Sequence, residues 1–357
     1  MEHGRVAGKP KVVFVLGATA TGKSKLAIAL AERFNGEVIN ADKIQVHDGV
    51  PIITNKVTEE EKAGVPHHLL GVLHPDADFT ADEFRRDAAA AAVARVLAAG
   101  RLPVVAGGSN TYIEALVEGD GAAFRAAHDL LFLWTDAEQA ELLEWYAAAR
   151  VDEMLARGLV AEARAAFVAA AGGGGGGGAG AAADYTRGVR RAIGLPEMHA
   201  YLAAERGGAA GEAELAAMLD GAVREIKENT FRLARAQTEK IRRLSKLEGW
   251  DVRRVDVTPV LVARKADGAA CHEETWKKLV WEPFEEMVRV FLEEKEKETP
   301  TATAVPIPTP TVGVGVAASG DAGIVATAAT SADVAITAPA SADVAITAVA
   351  DAAPATV

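Results

Sequence analysis

Gly17, Gly22, Lys23 and Ser24 stand at the spacing G-x-x-x-x-G-K-[ST], and together these residue types can hold a polyphosphate. The two glycines let the backbone curl into a nest of N–H donors, and a helix N-terminus just beyond adds orphan donors and the positive end of a dipole. Lys23 contributes a mobile cation, and the Ser24 hydroxyl is placed to ligand Mg2+. Ala18, Thr19, Ala20 and Thr21 fill the loop between the glycines. The spacing implies a bound di- or triphosphate without naming the molecule that carries it.

Other residues with chemical potential follow. Glu37–Asn40 reads as a short second strand, and Asp42 falls at its carboxyl end just past Ala41, with Gln45 three positions on. Read by position, its carboxylate is a helix cap, an acid near the metal, or a catalytic group. Gly107, Gly108 and Ser109 form a second glycine turn, where backbone can approach a ligand closely, although a tight strand–helix connection explains it equally well. Arg187, Arg190 and Arg191 cluster between a turn and a helix. They suit phosphate recognition by planar forks, or simply face solvent. The adjacent His67 and His68 cannot point the same way on a strand, so a satisfied structural pair is expected rather than a dinuclear metal site.

The elements that must position these residues are legible around them. Val12–Leu16 is a continuous apolar run of strand type, and Leu26, Ala27 and Leu30 recur at helical spacing after the glycine turn. Leu102–Ala106 and Leu130–Trp134 read as further buried strands, and Arg253–Val257 as a last one. Thr80 and Glu83 form a capping box for a helix that runs to Ala99 and stops at Gly100. Thr58–Lys62 reads as helix-like, Glu138–Val168 as helical, Val223–Leu247 as one long helix and Thr275–Lys297 as a final one. In the long helix, Ile226, Leu233, Ile241 and Leu244 are expected to form a core stripe. Strands alternating with helices predict an α/β fold, a P-loop-type doubly wound parallel sheet with a mainly helical subdomain. Three divisions are expected: a short arm at 1–10, a main domain at 11–298, and a low-complexity disordered tail at 299–357. The helical subdomain is placed at about 138–225, with a flexible glycine loop at 172–180.

Bulk properties narrow the function. The 357 residues carry a formal net charge of −12, which argues against wholesale nucleic-acid binding. A single cysteine excludes an internal disulfide and a Cys2His2 zinc finger. No apolar run has the length of a membrane span, roughly 18 residues. Met1–Pro10 is too short and polar for a signal peptide and lacks the character of a transit peptide. Cytoplasmic location is therefore expected, with nothing in this stretch to support plastid import.

In this order the pieces resemble the isopentenyltransferase family, and within it the plant adenylate isopentenyltransferases that make cytokinins. The resemblance is carried by residues 17–24, Asn40–Val46, Thr54–Lys56, Gly64–Leu70, Asp78–Ala81, Ala106–Asn110, Tyr112–Leu116, Arg190–Glu197 and Ile226–Thr230. It implies transfer of a dimethylallyl group from dimethylallyl diphosphate to the N6 amine of ATP or ADP, with AMP ranked below them. In that reading Gly17 to Ser24 hold the donor diphosphate with Mg2+, and Asp42 takes the N6 proton. Arg191 contacts the diphosphate, and Thr19, Lys23, Ser24, Gln45 and Ser109 line the channel, with Gly107 and Gly108 beside them.

The chemistry fits these residue types. An exocyclic adenine amine is a poor nucleophile until a carboxylate accepts its proton. The allylic carbon ionises only if the departing diphosphate is neutralised, which Lys23, the nest, Mg2+ and Arg191 would do. The resemblance implies small-molecule partners, no obligate protein partner, and a minor possibility of tRNA as acceptor. The zinc finger of the eukaryotic tRNA-modifying type cannot form with one cysteine. His47 stands where the family usually has tyrosine, Ala41 where serine is usual, and Ala236 where arginine is common. Two further alternatives stay open: a P-loop kinase or nucleotide hydrolase, and a non-catalytic nucleotide-binding relative.

Overall fold

The computed structural model describes residues 8–172, 184–267 and 269–294. The expected tail at 299–357, the glycine loop at 172–180 and the arm at 1–10 lie wholly or mostly outside the described residues. The sheet is built from β1 (Lys11–Gly17), β2 (Gly36–Asn40), β3 (His67–His68), β4 (Leu102–Ala106), β5 (Asp129–Asp136) and β6 (Val252–Asp256). Its order is β3-β2-β4-β1-β5-β6, and every pairing is parallel. The expected α/β class and parallel sheet are met.

Helices α1 (Lys23–Arg33), α2 (Ala81–Glu83), α3 (Ala90–Ala98), α4 (Asn110–Ala127) and α5 (Ala140–Ala156) follow in chain order. After them come α6 (Leu159–Gly172), α7 (Leu195–Gly207), α8 (Glu212–Leu244), α9 (Thr258–Asp267), α10 (Ala269–Trp276) and α11 (Glu282–Glu293).

Side chains alternate across a strand, so a sheet buried on both faces needs apolar residues at both parities. In β1, Val13 and Val15 join a core with Leu26, Leu30, Phe284 and Val288. Val12, Phe14 and Leu16 point the other way, into a core with Phe84, Val93, Ile113 and Leu116. The helices thus cover both faces. A third core gathers Met154, Leu159, Leu195, Met198, Tyr201 and Ile226, with Ile53 from the long β2–β3 connection. Each fully buried Leu or Phe contributes about 1.5–3 kcal/mol relative to exposure.

The Thr80–Glu83 capping box forms as expected: Thr80 Oγ1 accepts from Glu83 N at 3.2 Å, and Thr80 N donates back to Glu83 Oε2 at 2.7 Å. The helix it starts is π-helical over Phe84–Ala89 before α3, and Gly100 closes it at φ 68°. Five expectations are corrected. Thr58–Lys62 is a set of hydrogen-bonded turns rather than a helix, cut short at Gly64, which sits at φ 79°. The helical run after Glu138 is broken at Gly158, φ 108°, into α5 and α6. The long helix starts at Glu212, well before Val223, and the last helical stretch begins at Ala269. Leu233 is 41% exposed and does not belong to the core stripe, because it lies at the edge of the buried arc of α8.

Among the described residues, no helix is long and apolar enough to cross a membrane.

Candidate active site

In an open parallel sheet the carboxyl ends of the strands face a crevice. Here β1, β2 and β4 end side by side and deliver the P-loop, Asp42 and the second glycine turn to one edge. Lys23, Ser24, Asp42, Gln45, Gly107 and Gly108 line one cleft there, with Val38, Val57, His67 and Leu70 supplying part of its wall.

The P-loop is held by its own side chains. Thr21 Oγ1 donates to Ala18 O at 2.8 Å and meets Thr135 Oγ1 at 2.9 Å. A Cβ on Gly17 would lie 2.4 Å from Thr135 Oγ1 and 2.6 Å from Thr21 Oγ1, so only glycine fits. Gly22 precedes α1 in the left-handed region at φ 85°. Ala20 sits there too, at φ 67°, a conformation disfavoured for a residue with a Cβ. Lys23 Nζ donates to Ala18 O at 2.7 Å. Burial lowers its ammonium from the ordinary value to about 8, with the Asp42 charge opposing that fall and Arg150 reinforcing it. A half-buried cation beside a nest of N–H groups is a binding site for the opposite charge. Ser24 is exposed at the first turn of α1, and its hydroxyl has no partner among the described residues.

Asp42 divides its two oxygens. Oδ1 accepts from Ile44 N at 2.9 Å and from Gln45 N at 3.3 Å, which fixes the turn after β2. Oδ2 has no hydrogen-bond partner among the described residues and lies 3.0 Å from where a Gly108 Cβ would be. The capping role and a free proton acceptor therefore coexist in one carboxylate.

The second glycine turn is required by contact rather than by flexibility alone. A Cβ on Gly107 would fall 2.2 Å from the carbonyl carbon of Ala41. Ser109 N donates to Ala41 O at 3.1 Å, and Ser109 Oγ accepts from Lys43 N at 2.9 Å, so this turn grips the Asp42 turn from both sides. Gln45 Nε2 donates to Thr54 O and Asn55 O, both at 3.1 Å, and so orders the rim. That rim is moored to α6, where the Glu162 carboxylate accepts from Ile52 N at 3.0 Å and Ile53 N at 2.7 Å.

The three clustered arginines separate. Arg187 pairs with Asp78 at 3.5 Å and Arg190 with Asp76 at 2.8 Å, the solvated reading. Arg191 donates Nε to Gly188 O at 3.2 Å, while its Nη2 is buried without a partner. Burial pushes the Tyr112 hydroxyl up to about 12, with the Arg191 charge opposing and the Asp42 charge adding to the rise. Arg191 is not among the residues that line the cleft with Lys23 and Asp42.

The histidines behave as a structural pair: His67 Nδ1 meets Val65 O at 2.8 Å and His68 Nε2 meets Glu37 Oε2 at 2.5 Å. His47 is fully buried, and burial holds its imidazole below the ordinary value. Its Nδ1 meets His74 O at 3.1 Å and its Nε2 is unpartnered.

Helix α8 brings one residue that its sequence did not announce. Gln237, 8% exposed, accepts from Thr19 N and donates to Gly108 O. Ala236, beside it, is exposed, and Arg235 lies on the outer face 4.0 Å from Glu239, so it does not take the place of an arginine at 236.

Comparison with known proteins fits this geometry. The sequence model of the IPP transferase family matches residues 45–129 and 120–244. The chain is 43% identical over 284 residues to adenylate isopentenyltransferase 3, chloroplastic, of Arabidopsis thaliana, covering 80% of each chain. It is 45% identical to adenylate isopentenyltransferase 5, chloroplastic, of the same plant, covering 80% of this chain and 81% of that one. Among solved structures, a eukaryotic dimethylallyltransferase acting on tRNA superposes with a TM-score of 0.64 at 21% identity, over 79% of each chain. A tRNA isopentenylpyrophosphate transferase from Bacillus halodurans gives 0.55 at 24% identity, over 78% of this chain and all of that one. These last two likenesses concern the fold.

Proposed function

The chain belongs to the IPP transferase family, and from that premise we propose that it transfers a dimethylallyl group from dimethylallyl diphosphate to the N6 amine of ATP or ADP. This is the first committed step towards a cytokinin, and diphosphate leaves. The acceptor is taken from relatives named for adenylate, 43% and 45% identical to this chain. The observation that carries the mechanism is the divided carboxylate of Asp42, pinned through Oδ1 and free at Oδ2, in the same cleft as the P-loop lysine.

In this reading the loop from Gly17 to Ser24 receives the donor's diphosphate. Lys23 leaves the Ala18 carbonyl for a phosphate oxygen, and its depressed proton affinity rises once the anion is present. The buried, unpartnered Nη2 of Arg191 supplies a second cation to the leaving group. Asp42 Oδ2 accepts the N6 proton as the C–N bond forms, which restores the amine lone pair for attack.

Mg2+ fits the donor set. Among the described residues no cluster of three His, Cys, Asp or Glu side chains could cage a metal, while the Ser24 hydroxyl is free at the nest. One hydroxyl with diphosphate oxygens and water is a usual environment for this ion. When bound it would neutralise charge on the leaving diphosphate.

The test is mass analysis of the product formed from purified protein, dimethylallyl diphosphate and Mg2+ with ATP, ADP, AMP or tRNA in separate reactions. A prenylated ATP or ADP is expected. Omitting the prenyl donor should leave the nucleotide intact, and phosphate release without it would favour a kinase or hydrolase. Absence of a prenylated product with every acceptor refutes the proposal. Cytoplasmic location belongs to the same proposal and is set against relatives named chloroplastic and mitochondrial. A fluorescent fusion imaged in plant cells decides it.

A further inference from the structure

We infer that Gln237 is a positioning residue, which sets the distance between the donor cradle and the base by clamping the P-loop to the second glycine turn. The side chain reaches both loops at once. Oε1 accepts from Thr19 N at 2.7 Å, and Nε2 donates to Gly108 O at 3.0 Å. The two contacts fix the amide orientation, because a flipped amide would set its NH2 against an N–H and its oxygen against a carbonyl.

The clamp is itself held. Gln237 is 8% exposed on α8, and Asn110 Nδ2 donates to its carbonyl at 3.4 Å, which ties that turn of α8 to the start of α4. A Cβ on Gly108 would lie 2.5 Å from Gln237 Nε2 and 3.0 Å from Asp42 Oδ2, so Gly108 is sandwiched between the amide and the free carboxylate oxygen. From there the connection continues through Ser109 N to Ala41 O and from Lys43 N to Ser109 Oγ. A continuous hydrogen-bonded path thus runs from the backbone that cradles the diphosphate to the turn that carries the base.

Prenyl transfer requires the allylic carbon and the amine to meet at near-attack separation, and the donor's carbon is fixed by where its diphosphate sits. A change of about 1 Å between cradle and base is enough for a loss on the order of 100-fold. Glutamine suits the task because one planar amide supplies a donor and an acceptor on a side chain long enough to span both loops. Asparagine is one methylene shorter and reaches only one of them.

The inference rests on Asp42 acting as the base of a prenyl transfer, so the test begins with wild-type turnover. Gln237→Leu keeps the volume and removes both hydrogen bonds. Its kcat at saturating substrates should fall by about 100-fold, while the dissociation constant of dimethylallyl diphosphate, measured by calorimetry, stays within about threefold. In an Asp42→Asn background, single-turnover rates should change by no more than about threefold on adding Gln237→Leu, because there is no longer a base to place.

An equal fractional loss in both backgrounds would show a merely structural role and overturn the inference, as would a kcat within threefold of wild type. Gln237→Glu is read in the same way if the leucine variant does not fold. It keeps the acceptor for Thr19 N–H, loses the donor to Gly108, and should shift the acidic limb of the kcat profile upward by setting a second carboxylate near Asp42. An unmoved acidic limb would count against the clamp. Inactive wild-type protein would instead refute the prenyl-transfer reading itself.

Discussion

Replacing Asp42 by asparagine separates the two jobs of its carboxylate. The asparagine carbonyl oxygen can still accept from Ile44 N and Gln45 N, and those two donors orient the amide, since the NH2 group cannot face them. The turn after β2 should therefore survive, with the melting temperature within a degree or two of wild type. At the Oδ2 position an NH2 group replaces the free acceptor, and it cannot take a proton. Losing a general base costs about 10²–10⁴-fold in turnover, equivalent to roughly 3–5 kcal/mol of barrier. Donor affinity should hold or improve, because a negative charge is removed from the neighbourhood of Lys23 and its phosphate. Asp42→Ala is the control: it removes the cap as well, at about 1 kcal/mol, or roughly 2–4 °C in a protein of this size. Stopped-time product assays, donor calorimetry and thermal melts on the three proteins complete the comparison. Asp42→Asn turning over within tenfold of wild type would refute the base assignment. A melting temperature as low as that of the alanine variant would refute the divided carboxylate.

Further outcomes follow from other parts of the site. Burial lowers Lys23 from 10.5 to about 8, so between those values the unfolded chain binds more protons than the native one. This group therefore adds stability as pH rises through that window, and thermal melts of Lys23→Met across it should show a flatter pH dependence than wild type. Gly107→Ala drives a Cβ into the Ala41 backbone and should cost about 1–3 kcal/mol together with most turnover, read from urea melts and rate assays. Ala236→Arg adds a guanidinium at an exposed position next to Gln237, where the family commonly has arginine, and kcat should rise severalfold in rate assays without loss of stability in thermal melts, because nothing buried is displaced.

The parts of the fold legible in the sequence are those with local causes. Leu102–Ala106 is read to the residue because a short apolar run between Gly100 and Gly107 leaves no other solution. The same holds for the P-loop, whose geometry depends on two glycines within six residues, and for the Thr80 capping box. The break between α5 and α6 had a signal at Gly158, outweighed by helical residues on both sides of it. The early start of α8 had a signal too: Leu215, Met218, Leu219 and Ala222 recur at helical spacing and pack on the third core, but Gly221 interrupts the stretch and masks its continuity with Val223. Gln237 had none. A glutamine among basic residues of a long helix is unremarkable locally, and its partners lie 218 and 129 positions away in the chain. The division among the arginines was equally hidden, because only tertiary structure shows that Asp76 and Asp78 neutralise Arg190 and Arg187 and leave Arg191 open.

The Glu162 contact with Ile52 and Ile53 has a wider consequence. One wall of the cleft grows out of the sheet, while the segment at Ile52 and Ile53 is held to the helical layer by the Glu162 carboxylate and by Ile53 packed into the third core. Drift in those helices can therefore reshape what is admitted opposite the phosphate cradle without altering a strand. Chains that keep the same cradle are in this way free to diverge in the partner molecule they accept.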